Sequence, residues 1–144
     1  MKNALAIIFA LCCASPAIAQ DTPVAPENAA AFTLELNALH PAAAGCRVTF
    51  LATNELGSQL DRASVEMALF DSAGTIDRIV TLDFRALSQG KTKVLQFELA
   101  GLDCDNVGRV LINDITACEG PDLVATACLA GLVTTTRSDI AFGA

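Results

Sequence analysis

Hydrophobic and polar residues alternate along most of the chain, with a period of two that recurs between turn signals. Phe32, Leu34 and Leu36 share one side of a predicted strand, while Thr33 and Glu35 lie on the other side. Such alternation is typical of half-buried β-strands. Later segments repeat the pattern, and a strand is predicted for each. They comprise residues 46–52, 65–70, 80–85, 95–99, 107–115 and 132–142.

Short turns separate these segments and leave little room for helices. The stretch Asp71-Ser72-Ala73-Gly74 is a hairpin signal, and His40-Pro41 begins a predicted loop before the second strand. Only residues 124–132, which are rich in alanine, favour a helical turn. Because the strands are short and closely spaced, the sequence predicts an all-β fold, a single antiparallel immunoglobulin-like β-sandwich of about seven strands.

The alternation also predicts which side chains form the core. Apolar positions on one face of each segment are expected to be buried between the two sheets: Phe50, Val65, Met67, Leu69, Leu82, Phe97 and Leu99. Polar positions on the opposite face are expected to contact water: Glu66, Thr81, Asp83, Gln96 and Glu98. A one-residue error in strand register would exchange the two sets.

The amino terminus has the features of an export signal. Lys2 precedes an apolar run, and Ala17-Ile18-Ala19 is a small-x-small cleavage site before Gln20. Residues 1–19 are therefore predicted to be a signal peptide, residues 20–31 a flexible lead-in with two prolines, and residues 32–144 the sandwich domain. A periplasmic or secreted localisation is expected for the mature protein.

Charge and length narrow the classes of partner. The full chain carries a net charge of −7, and loss of Lys2 with the signal leaves eight basic residues against 16 acidic ones. Such an acidic balance argues against nucleic acid as a partner. No stretch after the signal approaches the roughly 18 apolar residues of a membrane helix, so no membrane span is expected.

Four cysteines remain after the signal: Cys46, Cys104, Cys118 and Cys128. In an oxidising compartment, two structural disulfides are expected. Four cysteines allow three pairings. Strands that run alternately up and down bring Cys46 and Cys104 to the same pole, which leaves Cys118 to pair with Cys128 across Gly120-Pro121.

Three other groups of residues are candidates for catalysis or for ligand or metal binding. His40 is the only histidine, and no nucleophile motif accompanies it, so a solvated histidine is the favoured interpretation. The residues from Asp103 to Gly108 partly match a calcium loop, but Val107 stands where a third ligand is needed, which favours an ordinary turn. Asn113-Asp114 interrupts an apolar run, which predicts a bulge or an edge where both side chains bond to the backbone. No cofactor, metal or catalytic residue is expected.

Residues 54–97 resemble the FxLYD-type bacterial domain, an immunoglobulin-like sandwich found in exported proteins. Met67-Ala68-Leu69-Phe70-Asp71 is similar to its eponymous motif, with Met for Phe and Phe for Tyr. Asn54-Glu55-Leu56-Gly57 resembles the turn that precedes this motif in the family, and residues 87–92 resemble the turn that follows it. The whole chain, with Leu111-Ile112-Asn113-Asp114, is also similar to a group of uncharacterised secreted alphaproteobacterial proteins. The resemblance implies the sandwich fold and no catalytic residues.

The sequence therefore favours a non-catalytic interaction or structural module that binds another envelope protein. Exposed sheet edges suit protein contacts, and the chain lacks the convergent titratable groups of an active site. The alternative is a small envelope metal-handling protein or enzyme, in which Met67 and His40 would supply ligands or a base.

Overall fold

A computed structural model describes residues 29–144 of the chain. The predicted signal peptide and most of the predicted lead-in lie outside the described residues. Eight strands follow one another with one short helix. They are β1 Ala31–Ala42, β2 Gly45–Glu55, β3 Leu60–Asp71, β4 Ile76–Leu87, β5 Lys91–Ala100, β6 Val107–Glu119, α1 Ala127–Ala130, β7 Leu132–Thr136 and β8 Ala141–Gly143.

The strands form two four-stranded sheets that pack face to face. The first sheet has the order β5-β2-β1-β7, and the second has the order β4-β3-β6-β8. The predicted all-β sandwich is therefore confirmed. The pairs formed by β1 to β6 are antiparallel, whereas β7 lies parallel to β1 and β8 lies parallel to β6.

The carboxy-terminal segment differs from its prediction. Residues 132–142 were expected to form one strand, but they form β7 in the first sheet and β8 in the second. Thr136 and Ser138 explain the break: Thr136 Oγ1 accepts from the backbone N–H of Ser138 at 3.1 Å, and Ser138 Oγ accepts from that of Ile140 at 3.3 Å. Such side-chain-to-backbone bonds replace ladder bonds, so the chain turns and crosses to the other sheet.

The prediction of a loop at His40-Pro41 is also wrong. Both residues lie in β1, which pairs with β2 as far as Ala42 opposite Gly45. A Cβ at Gly45 would collide with the backbone carbonyl oxygen of Leu99 on β5. Glycine at this position therefore allows β5 to approach the hairpin closely.

The core lies between the two sheets and follows the predicted alternation. Five of the seven predicted core residues are buried: Phe50, Val65, Met67, Leu69 and Leu82. Phe97 and Leu99 are half-buried and pack against this core. They are less buried than expected because β5 is an edge strand, which has a neighbour on one side only. Of the predicted polar set, Glu66 is half-buried and the other four residues are exposed.

Candidate functional site

The two open sides of the sandwich differ in the length of their edge strands. On one side β4 and β5 lie next to each other, with 12 and 10 residues. On the other side β7 and β8 have only five and three residues. Long edge strands present more unpaired backbone N–H and C=O groups, which are a template for pairing with another chain. The β4–β5 side is therefore the candidate binding edge.

Side chains tie the shorter edge strands to the rest of the sandwich. Arg137, just after β7, donates to a carboxylate oxygen of Glu35 on β1 at 3.4 Å. Hydrogen bonds from Asn37 and then from Arg137 lower the pKa of Glu35. On the inner side, the Phe142 ring of β8 lies 5.6 Å from that of Phe50, so this end of the sandwich is filled.

Two basic side chains connect the ends of β4 and β5. Arg78 of β4 donates through Nη1 to the carbonyl oxygen of Ala100 at 2.7 Å and through Nη2 to that of Gly101 at 3.3 Å. Lys93 of β5 donates in the reverse direction, to the carbonyl oxygen of Ala86 at 2.9 Å. Hydrogen bonds thus link the two edge strands near both of their ends, and an open space remains between the strands in the middle.

A cleft of about 310 Å³ lies between the two edges. Asp83 and Arg85 line it from β4, and residues 93–97 line it from β5. The half-buried ring of Phe97 contacts the buried ring of Phe84 edge to face, at a centroid distance of 5.3 Å. The cleft therefore combines an apolar base with charged walls.

Arg85 has an unusual backbone conformation at the wall of this cleft. Its φ angle is +58°, a left-handed value that non-glycine residues rarely adopt. The Arg85 N–H donates to Asp83 Oδ1 at 2.8 Å, which stabilises this conformation. The register between β3 and β4 shifts here, so Arg85 belongs to a β-bulge. Bulges turn a side chain away from the regular alternation, and they are common next to functional sites.

The cleft end of the molecule carries unpaired positive charge. Within residues 29–144, Arg85, Lys91 and Lys93 have no acidic side chain within 4.0 Å, whereas four of the other five basic residues form ion pairs. Lys91 lies two positions before Lys93, on the same face of β5. In a chain with a net charge of −7, this grouping makes a local basic site.

None of the four cysteines lines this cleft. Cys46 is bonded to Cys104, and Cys118 is bonded to Cys128, as the strand geometry predicts. Structural disulfides fit a protein of a non-cytoplasmic, oxidising compartment. In the part of the chain that the structure describes, no helix is both long and apolar enough to cross a membrane.

The residues considered for metal binding or catalysis are not brought together. His40 is exposed near the end of β1, opposite Arg47 of β2, and Met67 is buried in the core. Across residues 29–144, no group of three or more His, Cys, Asp or Glu side chains is close enough to hold a metal ion.

The segment from Asp103 to Asn106 forms a turn, as its sequence favours, and Val107 and Gly108 begin β6. Residues Cys104–Asn106 form a 3₁₀ helix, which Asp103 caps by accepting from the N–H of Asp105 at 3.1 Å. Asn106 Oδ1 accepts from the Ser72 hydroxyl at 2.7 Å. The side chains of Asp103 and Asn106 therefore bond within the protein.

Asn113 and Asp114 lie at the β-bulge that their position in the sequence predicts. The register of β3 and β6 shifts between Glu66 and Met67, which pair with Asp114 and Ile112. Asn113 Nδ2 donates to Glu66 Oε1 at 2.6 Å, and Asp114 Oδ1 accepts from the N–H of Ile115. Asp114 therefore bonds to the backbone as expected, whereas Asn113 bonds to a side chain.

The hydrophobic pattern of the sequence does not single out the basic residues of the β4–β5 cleft. The sequence does contain one signal, which is the spacing of Phe84 and Leu87. Both residues are buried, and two residues separate them where regular alternation would have one. That spacing indicates a bulge within the strand. The position of β4 beside β5 follows from the order of strands in two sheets, which local alternation does not encode.

Together these features define a class of protein: a two-sheet β-sandwich with two disulfides and one long open edge, at one end of which basic side chains lack acidic partners among residues 29–144. Comparisons with protein-family models, with curated proteins and with solved structures found no match.

Proposed function

We propose that this chain is a non-catalytic protein-interaction module of the periplasm or of the secreted fraction. Its partner is another envelope protein, which contributes an extended, acidic segment to the β4–β5 edge. The predicted signal peptide and the two disulfides support the compartment. The resemblance to the FxLYD-type domain agrees with a sandwich that has no catalytic role.

The observation that carries this proposal is the unpaired charge beside the long open edge. An extended peptide that adds to β5 gains backbone hydrogen bonds, and its alternate side chains face the cleft. Arg85 and Lys93 line that cleft without an acidic partner among residues 29–144. Carboxylates of a bound segment would pair with these cations, so charge selects acidic segments and sets their register.

Apolar side chains define the remaining chemistry of the partner. Phe97 is half-buried at the base of the cleft, and Val94 on β5 is 64% exposed. A bound strand that alternates acidic and apolar residues would match the basic wall and the aromatic base. A nucleic acid does not fit as well, because the surrounding protein has a strongly negative net charge.

Selection of peptides tests this proposal. The processed protein, which lacks the predicted signal peptide of residues 1–19, is immobilised and exposed to a displayed library of random decapeptides. The sequences of the bound peptides are then compared with those of the unselected library. We expect enrichment of Asp and Glu in alternation with apolar residues, because that pattern fits the edge. Selected peptides without acidic enrichment would contradict the proposal.

Matched variants locate the binding site. The double variant Arg85→Gln with Lys93→Gln is expected to bind a selected peptide about tenfold more weakly, which corresponds to about 1.4 kcal/mol. Arg137→Gln is the control, since it removes one charge at the opposite edge. Thermal unfolding of each variant separates a loss of binding from a loss of fold. Equal affinities for the double variant and the control would overturn the assignment of the edge.

A further inference from the structure

The outer face of the second sheet carries an apolar row that crosses three strands. Ala68 of β3 pairs with Ile79 of β4 and with Leu111 of β6, so the three side chains lie side by side. Ala68 is 3% exposed because its larger neighbours flank it, whereas Ile79 is 54% exposed. Ile79 is thus the exposed member of the row, and Leu111 is half-buried. Apolar side chains that reach the surface side by side on a sheet face are a feature of interaction surfaces.

On one side the apolar row is bordered by a second row, called the basic row after its single cation, Arg109. Phe70 pairs with Ile76 of β4 and with Arg109 of β6. The Arg109 guanidinium lies 5.6 Å from the centre of the Phe70 ring, and Ile76 is 52% exposed. Within the described chain, no acidic side chain lies within ion-pair distance of Arg109.

An acidic row borders the apolar row on the other side. Glu66 pairs with Asp114 of β6, and neither forms an ion pair within residues 29–144. Along β3, Glu66 and Phe70 are four residues apart, so the acidic and basic rows are separated by about 13 Å. Arg109 and Asp114 are both exposed, so their charges are accessible to another molecule.

We infer that this face binds a second copy of the same chain, related by a two-fold axis along the apolar row. The axis is parallel to the sheet and runs across its strands. A rotation of 180° about it places each strand opposite the same strand of the second copy, with the strand direction reversed. Ile79 then faces the partner subunit's Ile79, and Arg109 faces the partner subunit's Asp114. Both charge pairs form at once, because a two-fold interface is self-complementary.

Charge complementarity favours a second copy over other partners for this face. Its basic and acidic rows lie at equal distances on either side of the apolar row, which is the arrangement that a two-fold axis requires. The face lies on the outside of the second sheet, away from the unpaired edge of β5, so the dimer does not depend on the proposed peptide site. The two proposals can therefore fail separately.

Sedimentation velocity of the processed protein over a micromolar concentration series tests this inference. A reversible monomer–dimer equilibrium is expected. Ile79→Glu should weaken dimerisation at least tenfold, because it places a charge against its own symmetry mate. Val133→Glu makes a similar change at an exposed position on β7 of the first sheet, outside both proposed surfaces, and should leave the dimer intact. A protein that stays monomeric throughout would overturn the inference and leave this face to a different partner.

A charge exchange provides the second test. Arg109→Glu and Asp114→Arg should each weaken the dimer, because each creates two pairs of like charges across the axis. The two substitutions combined in one chain should restore dimerisation, since the pairs form again with their signs exchanged. Circular dichroism establishes that each variant is folded. A combined variant that dimerises no better than the single variants would contradict the proposed axis.

Discussion

Asn54 shows how one buried polar residue can organise a turn. Its side chain is fully buried at the end of β2, where Nδ2 donates to the carbonyl oxygens of Ser58 and Leu87, each at 2.9 Å. Its Oδ1 accepts from the N–H of Leu56 at 3.1 Å. One amide thus satisfies three backbone groups that belong to the β2–β3 turn and to the end of β4. Buried polar groups require such partners.

Replacement of Asn54 by alanine should be costly for this reason. Asn54→Ala leaves three backbone groups without their partner, and we expect the free energy of unfolding to fall by roughly 3 kcal/mol. Asn106→Ala is the matched control, since Asn106 is exposed and accepts one hydrogen bond from Ser72. Urea denaturation measures both. Similar midpoints for the two variants would contradict the role assigned to Asn54.

At the scale of elements, the position of a strand within its sheet decides how much its side chains are buried. Phe84 of β4 is buried because the register places it on the inner face of the second sheet. Phe97 of β5 is also on an inner face, but it lies beside the open cleft and is half-buried. The two rings contact each other, so the sandwich edge has one ring in the core and one at its boundary.

This difference predicts a ranking of three alanine variants. Phe84→Ala should cost about 3 to 5 kcal/mol, because it creates a cavity in the core. Phe97→Ala should cost less, since its ring already contacts solvent. Glu98→Ala should change stability by under about 0.5 kcal/mol, because this exposed carboxylate forms a surface ion pair with Arg47 and accepts one long, exposed hydrogen bond from the N–H of Ala44 at 3.4 Å. Denaturant titrations in which Phe97→Ala loses more stability than Phe84→Ala would be evidence against an open edge at β5.

The elements also show how far the sequence alone predicts this fold. Alternation identified the strands and the buried face of Phe50, Val65 and Met67, because those positions depend on local period. It did not separate β7 from β8, since the break at Thr136 and Ser138 depends on side-chain hydrogen bonds. It also did not locate the cleft, because the basic residues of β4 and β5 meet only when the two sheets are stacked.

At the scale of the whole molecule, the two disulfides constrain the chain to different extents. Cys46–Cys104 joins residues 58 apart, from β2 of the first sheet to the 3₁₀ helix before β6 of the second. Cys118–Cys128 joins residues only 10 apart, between the end of β6 and α1. A longer closed loop removes more conformational entropy from the unfolded chain.

Removal of each disulfide should therefore have unequal effects. Replacement of Cys46 and Cys104 by alanine should lower stability by about 4 kcal/mol, against about 3 kcal/mol for Cys118 and Cys128. Alanine is suitable because all four cysteines are buried in apolar surroundings. The measurement is urea denaturation of the two double variants under oxidising conditions. A larger loss for the Cys118–Cys128 variant would contradict this order.

The most direct test of the central claim is amide hydrogen exchange of the processed protein, alone and with an acidic extended peptide from the selection described above. We predict that exchange slows along β5, because the peptide pairs with its open edge, while β7 is unchanged. A peptide with lysine in place of each acidic residue should have no effect. Protection that is absent from β5, or that is equal for the acidic and the basic peptide, would contradict the account.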